Sequence, residues 1–394
     1  MDPRKNPFNP GAGSQPPELT GRDAVLESAD IAISRIRNGR SAQGQILVGL
    51  RGVGKTVLLN RIYSMAESQG AKAVLIEANE DRTLASMLLP PLRQILFGLD
   101  AMANTSEKVK RGLRVFRSFI TGLKAKVGEL ELEFGSDMER GTADSGDLAS
   151  DLGELFLAVA EAAQDRETAI VICIDELQYL SVKEFGALIM AIHKVTQRSL
   201  PMLLVGAGLP QILALAGKSK SYAERLFTYP SIGPLEREDA IAALERPVEN
   251  EGASFEPSAL ELILKQTEGY PYFIQEWGKE AWNSAKGPMI TADEITRANE
   301  SILQTLDKNF FRVRFDRLTP NEKRYLRGLA SLGQGPQRSG SVADQLGVTT
   351  KSLGPIRDSL IKKGMIYSPT HGDAAFSVPL FGEFMMRVMP EATI

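Results

Sequence analysis

The chain has 394 residues, 43% apolar and 24% charged, with a formal net charge of −3. This is a globular composition, long enough for two or three domains, and its charge excludes a chain-wide coating of nucleic acid while leaving room for a local basic face. The single cysteine, Cys173, excludes a disulfide framework, and His193 and His371, which lack partners at metal-ligand spacing, speak against a zinc site or a histidine-based triad.

No segment reaches the length of a membrane span, and the opening MDPRKNPFNPGAGSQPPE lacks the apolar core of a signal peptide, so a cytoplasmic protein with no membrane partner is expected. Residues 1–17 are rich in Pro, Gly and Asn and read as a flexible arm, with Phe8 as a candidate anchor. Apolar residues at helical spacing predict a helix over 23–37. At 45–62, QILVGLRGVGKTVLLNRI, the buried-strand run Ile46, Leu47, Val48 gives way to a glycine-rich loop and then to an amphipathic helix. Residues 49–56, GLRGVGKT, fit G-x-x-x-x-G-K-[ST] between strand and helix, the order that a phosphate cradle requires.

A polyphosphate needs many donors at short range, and backbone N–H groups supply them only where no Cβ intervenes. Gly49, Gly52 and Gly54 meet that need. The following helix offers its positive N-terminus, Lys55 reaches the β- and γ-phosphates of ATP, and the Thr56 hydroxyl is a candidate Mg²⁺ ligand. Val53 and Val57 belong to the same nucleotide-binding segment.

A second strand is predicted at 73–76 and a helix at 84–97. Residues 98–150 read as an insertion. In it, basic Lys108, Lys110, Arg111, Arg114 and Arg117 precede Leu130, Leu132 and Phe134, which alternate with glutamates as in a one-sided strand. Residues 170–174, IVICI, form a continuous β-branched run, as expected of a central parallel strand, and end in Asp175 and Glu176. An acidic pair after a strand is ordinarily a helix N-cap. Together with a phosphate loop, Asp175 is instead expected to hold Mg²⁺ through water, and Glu176 to orient and deprotonate the attacking water. A helix over 182–197, a strand at 202–205 and a helical lid over 236–305 follow. Strands alternating with helices predict an α/β fold with a doubly wound parallel sheet.

The set GRD at 21–23, GLRGVGKT, IDELQ at 174–178, GAGLP at 206–210, AERL at 223–226 and GYP at 269–271 resembles the AAA+ and STAND-like ATPases related to origin-recognition proteins. The resemblance spans about residues 18–290. It implies a P-loop ATPase core over 18–235, Gly21 and Arg22 near the adenine, Arg225 at the place of the arginine finger, and Pro271 at the start of a lid helix facing the nucleotide. Two departures weigh against fast hydrolysis. Gly206, Ala207 and Gly208 stand where such ATPases carry a polar γ-phosphate sensor, and Tyr272 and Phe273 stand where the lid carries an arginine.

Beyond a linker at 306–317, residues 318–394 read as a winged helix-turn-helix. Thr319 is its first N-cap, a short helix and a second helix are joined at Gly347, and a hairpin carries His371-Gly372-Asp373 at its tip. In a DNA reading Thr349, Thr350, Lys351, Ser352 and Arg357 face the major groove, and Lys362 and Lys363 the phosphates. Nine basic against six acidic residues favour this mildly. Pro355 interrupts the would-be recognition helix, which is then expected to begin at that residue. The expected function is a slow ATPase that couples ATP and Mg²⁺ binding to double-stranded DNA as a switch, with a nucleotide-dependent homo-oligomer if Arg225 acts in trans. The alternative is a STAND-like signalling scaffold that binds ATP with little turnover and engages a protein partner.

Overall fold

The computed structural model describes residues 1–11, 13–101, 106–127, 139, 141–219 and 223–390. Five strands form one parallel sheet: β1 (Gly44–Val48), β2 (Lys72–Glu77), β3 (Ile170–Asp175), β4 (Met202–Gly208) and β5 (Phe227–Thr228), in the order β2-β3-β4-β1-β5. The α/β expectation holds. Alternation along the strands sends side chains to opposite faces. Ile46, Ile170, Ile172 and Ile174 join one core, and Leu47, Val171, Cys173 and Val205 the other. Cys173 is a fully buried core residue whose thiol is pushed up to about 12 by burial.

One face is covered by α1 (Asp23–Arg37) and α2 (Lys55–Ser68). The other carries α3 (Leu84–Asp100), α4 (Glu107–Val127), α5 (Leu148–Asp165) and α6 (Val182–Gln197). Part of the expected insertion therefore belongs to the core, since Val115, Phe116 and Phe119 of α4 are buried there. Arg111 is tied to Glu139 and Glu161, while Lys108 and Lys110 are exposed. The strand expected around Leu130, Leu132 and Phe134 lies outside the described residues. Two short helices, α7 (Gln211–Ser219) and α8 (Ala223–Leu226), lead into β5.

The lid comprises α9 (Arg237–Asn250), α10 (Pro257–Thr267), α11 (Pro271–Ser284) and α12 (Ala292–Leu306). The chain then runs through one π-helical turn, Asp307–Phe311, into α13 (Arg312–Phe315). This stretch, expected as a linker at 306–317, is packed rather than extended. Phe310, Phe311 and Phe315 are buried, and a single core extends from Ala240 of the lid to Met385. The C-terminal unit contains α14 (Pro320–Ser331), α15 (Ser339–Gln345), α16 (Thr350–Lys362) and α17 (Phe381–Val388). Three short antiparallel strands complete it, ordered Gln337–Arg338, Asp373–Phe376, Ile366–Tyr367.

Thr319 caps α14 as expected, in a capping box with Glu322. The start expected for α16 at Pro355 is overturned: Thr349 accepts the Ser352 N–H and the helix begins at Thr350, with Pro355 inside it. That cap supplies a firm start one turn before the proline. The flexible arm expected at the N-terminus is likewise docked. Phe8 is buried in the lid core, Asn6 donates to the Lys279 carbonyl at 2.9 Å, and the Trp282 indole donates to the Asp2 carbonyl at 2.9 Å.

Candidate nucleotide site

Parallel register aligns the strand ends: Val48 lies beside Gly208, and Glu77 beside Asp175. The loops that follow β1, β3 and β4 therefore leave from one edge of the sheet, where ligands of such sheets bind. A cavity of about 540 Å³ opens there. Its wall takes in Gly52, Val53, Gly54, Lys55, Thr56 and Val57 of the P-loop, Asp175 and Glu176 at the end of β3, and Arg22 before α1. From the lid come Pro271 and Tyr272, and from beyond it Phe310 and Arg314.

Gly52 and Gly54 have φ of 82° and 92°, a conformation glycine adopts without strain, so the loop can turn its amides inward. Gly49 and Gly21 do not line the cavity. A Cβ on Gly49 would lie 2.1 Å from the Ile232 carbonyl oxygen, and one on Gly21 would lie 2.4 Å from Asp239 Oδ2, so both glycines act in packing.

Lys55 is only 8% exposed. Its Nζ donates to the Gly49 and Leu50 carbonyls at 2.9 and 2.7 Å, and burial brings its ammonium down to about 8 against the opposing pull of Glu176 and Asp175. The Thr56 hydroxyl donates to Asp175 Oδ2 at 2.6 Å, and the Glu176 N–H donates to Asp175 Oδ1 at 2.8 Å. Burial pushes the Asp175 carboxyl up, more than the Thr56 bond brings it down. Glu176 has φ 53° and ψ 39°, a left-handed backbone that turns the chain sharply after β3.

Two residues beside Glu176 were not singled out from the sequence. Gln178 donates to Glu176 Oε2, and its own Oε1 accepts the Leu209 N–H at 3.0 Å. It fills the space left by Gly208 of β4, where a Cβ would lie 3.0 Å from Gln178 Oε1. Arg51, inside the P-loop, places Nη1 3.9 Å from Glu176 and donates to the Tyr179 hydroxyl at 3.2 Å. The IDELQ stretch and the variable positions of the loop motif contain both, but the motif assigns neither a role.

The P-loop is also gripped from outside. The Tyr272 N–H at the start of α11 donates to the Gly52 carbonyl at 3.2 Å, and the Arg51 N–H donates to the Ser377 carbonyl of the C-terminal unit at 3.1 Å. Arg51 Nε reaches the Gly364 carbonyl at 3.4 Å.

Arg22 lines the cavity, donates to the Gly233 carbonyl, and is lowered by burial. Arg225 does not reach the cavity of its own chain. It is exposed on α8, next to β5, whose Phe227 pairs with Gly44 at the end of β1 opposite the P-loop. Among the residues expected to face DNA, Thr350, Lys351, Ser352 and Lys362 are exposed. The other three, Thr349, Arg357 and Lys363, are engaged within the chain, Thr349 as the cap of α16. Arg357 donates to the Ser368 hydroxyl at 2.7 Å and the Asp373 carbonyl at 2.8 Å, and Lys363 pairs with Glu322 at 2.8 Å. No helix among the described residues is long and apolar enough to cross a membrane.

Residues 18–205 match the AAA ATPase domain family, and residues 308–385 match a domain of unknown function (DUF8462). No curated protein matches the sequence. Among solved structures, the Walker-type ATPase PABY2304 of Pyrococcus abyssi is similar over 96% of this chain and 99% of its own, with a TM-score of 0.57 at 14% identity. The Aeropyrum pernix Orc1 protein, solved with DNA, aligns over 95% and 94% with a TM-score of 0.47 at 16% identity. Thermotoga maritima RuvB aligns over 90% and 92% with a TM-score of 0.44 at 15% identity. The phosphate loop, the acidic pair and the strands β1 to β3 that align them thus lie within the stretch, residues 18–205, that is similar to the AAA ATPase domain.

Proposed function

We propose that the chain is a slow, Mg²⁺-dependent ATPase that works as a nucleotide switch, its lid and C-terminal unit reporting the nucleotide to a partner. The observation that carries this reading is the cavity wall, where P-loop, acidic pair, lid and the helix leading to the C-terminal unit all meet. Lys55 and the loop amides hold the phosphates, and Glu176 accepts the proton of the attacking water. Thr56 and Asp175 fit Mg²⁺: they present two oxygens 2.6 Å apart, and no cationic side chain among the described residues lies within ion-pair distance of Asp175. The metal supplies charge neutralisation for the β- and γ-phosphates. Slow turnover is supported by Gly206 and Gly208 at the sensor strand and by Gln178 holding Glu176 in place.

The C-terminal unit is read as a winged helix whose exposed Thr350, Lys351, Ser352 and Lys362 contact duplex DNA. Arg225 is read as acting only between copies, in a nucleotide-dependent homo-oligomer. A protein partner is the second reading, favoured by Arg357 and Lys363 being bound within the chain and by exposed Asp358 on the same helix. Affinity for a labelled duplex is measured with ADP, with a non-hydrolysable ATP analogue and without nucleotide, across a salt series. DNA binding predicts steep weakening with salt and at least about a fivefold difference between nucleotide states. Salt-insensitive or absent binding overturns the DNA reading in favour of the protein partner, and loss of nucleotide binding altogether overturns the switch.

A further inference from the structure

The lid helix α11 begins with Pro271 and Tyr272, so it offers no cation to the nucleotide. The fold brings one from elsewhere. Tyr272 stacks on Phe310 of the π-helical turn, with ring centroids 4.6 Å apart and planes at 24°. The Arg314 guanidinium lies over the Phe310 ring at 4.2 Å, and its Nη1 donates to the Phe310 carbonyl. Tyrosine, phenylalanine and arginine form a short stack that directs a guanidinium from α13 into the cavity wall.

The electrostatic setting of Arg314 calls for an anion. No carboxylate among the described residues lies within ion-pair distance of it, and its nearest strong influences include a second guanidinium, Arg51. Burial, with Arg51 adding to it, lowers Arg314 to about 10. Two guanidiniums are held half-buried in one wall, and Glu176 is the one carboxylate among the described residues within ion-pair distance of either, so they repel each other until a multiply charged anion joins them. Their position selects which part of a nucleotide that is. Arg51 and Glu176 adjoin the end of β3, where the attacking water is expected, whereas Thr20 and Arg22 line the wall at the start of α1.

We propose that Arg314 binds the terminal phosphate of ATP together with Arg51, so that the helix joining lid to C-terminal unit distinguishes ATP from ADP. This rests on the nucleotide reading of the cavity. A guanidinium fork bonds two phosphate oxygens at once, so the interaction is made with a third phosphate and not with ADP. It also ties α13, and through it α14, to the phosphorylation state of the ligand.

The test is calorimetric affinity for a non-hydrolysable ATP analogue and for ADP, with Mg²⁺, in the parent chain and in Arg314→Gln, Arg314→Lys and Lys55→Ala. Arg314→Gln is expected to lose about 10- to 100-fold for the ATP analogue and less than threefold for ADP, a charge-assisted pair contributing on that scale. Arg314→Lys, which keeps the charge without the fork, is expected to fall between, and it provides the same reading should the glutamine variant not fold in a melting assay. Lys55→Ala is expected to lose both ligands. Equal loss of the two nucleotides, or no loss of either, in a folded Arg314 variant overturns the proposal. Absence of nucleotide binding in the parent chain overturns the function itself, a separate outcome.

Discussion

The sheet domain and the body formed by the lid and C-terminal unit are built on different plans. In the sheet domain two cores lie on opposite faces of five strands, and the P-loop and the acidic pair sit at strand ends. In the second body one core runs unbroken from Ala240 to Met385, with Phe273, Phe311 and Phe384 linked by ring contacts across the lid and C-terminal unit. The difference teaches where motion is available. A shared aromatic core resists separation, whereas the seam between the two bodies crosses the cavity and is stitched near the P-loop by single backbone hydrogen bonds to Tyr272 and Ser377. Opening at the nucleotide therefore moves lid and C-terminal unit together.

The largest effect bears on the sheet side. Glu176→Gln is expected to slow ATP hydrolysis by about 10²- to 10⁴-fold while nucleotide affinity stays within a few-fold, because an amide holds water without accepting its proton. Single-turnover rates check this; parent-like turnover would move the base to another residue.

Next in size is the shared core. Phe311→Ala is expected to cost about 3–5 kcal/mol, the range for deleting a buried aromatic side chain. Hydrogen exchange should rise in α11 and α14 together and leave β3 protected. If only one of the two helices responds, the lid and C-terminal unit are separate bodies and the comparison fails.

The third effect depends on pH. Lys55 in the free chain is brought down to about 8, and a bound anion favours its charged form and raises that value. ATP affinity is therefore full below about 8 and falls as pH rises above it, by at most about tenfold per unit for one proton. A flat profile from pH 7 to 9.5 would show that Lys55 stays charged throughout.

The smallest effect tests the stitch itself. A Cβ on Gly364, whose φ is 62°, would lie 2.6 Å from Arg51 Nη2. Gly364→Ala should displace that guanidinium and weaken the grip of the C-terminal unit on the P-loop by about 1 kcal/mol, the worth of one hydrogen bond. The readout is a few-fold faster exchange of the Arg51 amide; unchanged exchange would mean that the two bodies are held elsewhere.

The sheet and its site were legible because their signals are local. Strand, loop and helix at 45–62 and the apolar run into Asp175 each state their geometry within a dozen residues, and parallel register then brings them together. Gln178 was within sight, two residues beyond Glu176, yet its role depends on Gly208 and the Leu209 amide at the end of another strand. Arg314 gave no such signal. In LDKNFFRVRFDRLTP it is one arginine among five charged neighbours of either sign, and only the Tyr272–Phe310 stack distinguishes it from Arg312, which is exposed. The same stretch passed for a linker because charged residues flank its phenylalanines, while the burial of Phe310, Phe311 and Phe315 is decided by partners far away in sequence. Arg357 and Lys363 were read as free cations for the same reason: their acceptors, Asp373 and Glu322, lie on other elements.

The π-helical turn at Asp307–Phe311 sets the angular phase of everything after it. An α-helix advances about 100° per residue, and a π turn accommodates one residue more than an α turn, so this segment works like the timing mark on a gear. Deleting Lys308 there would rotate Phe310 and α13 by roughly that angle, taking Phe310 off Tyr272 and Arg314 out of the cavity wall without removing any side chain that lines it. Spacing here is thus as much a part of the nucleotide site as composition, and a one-residue deletion should mimic the loss of the arginine.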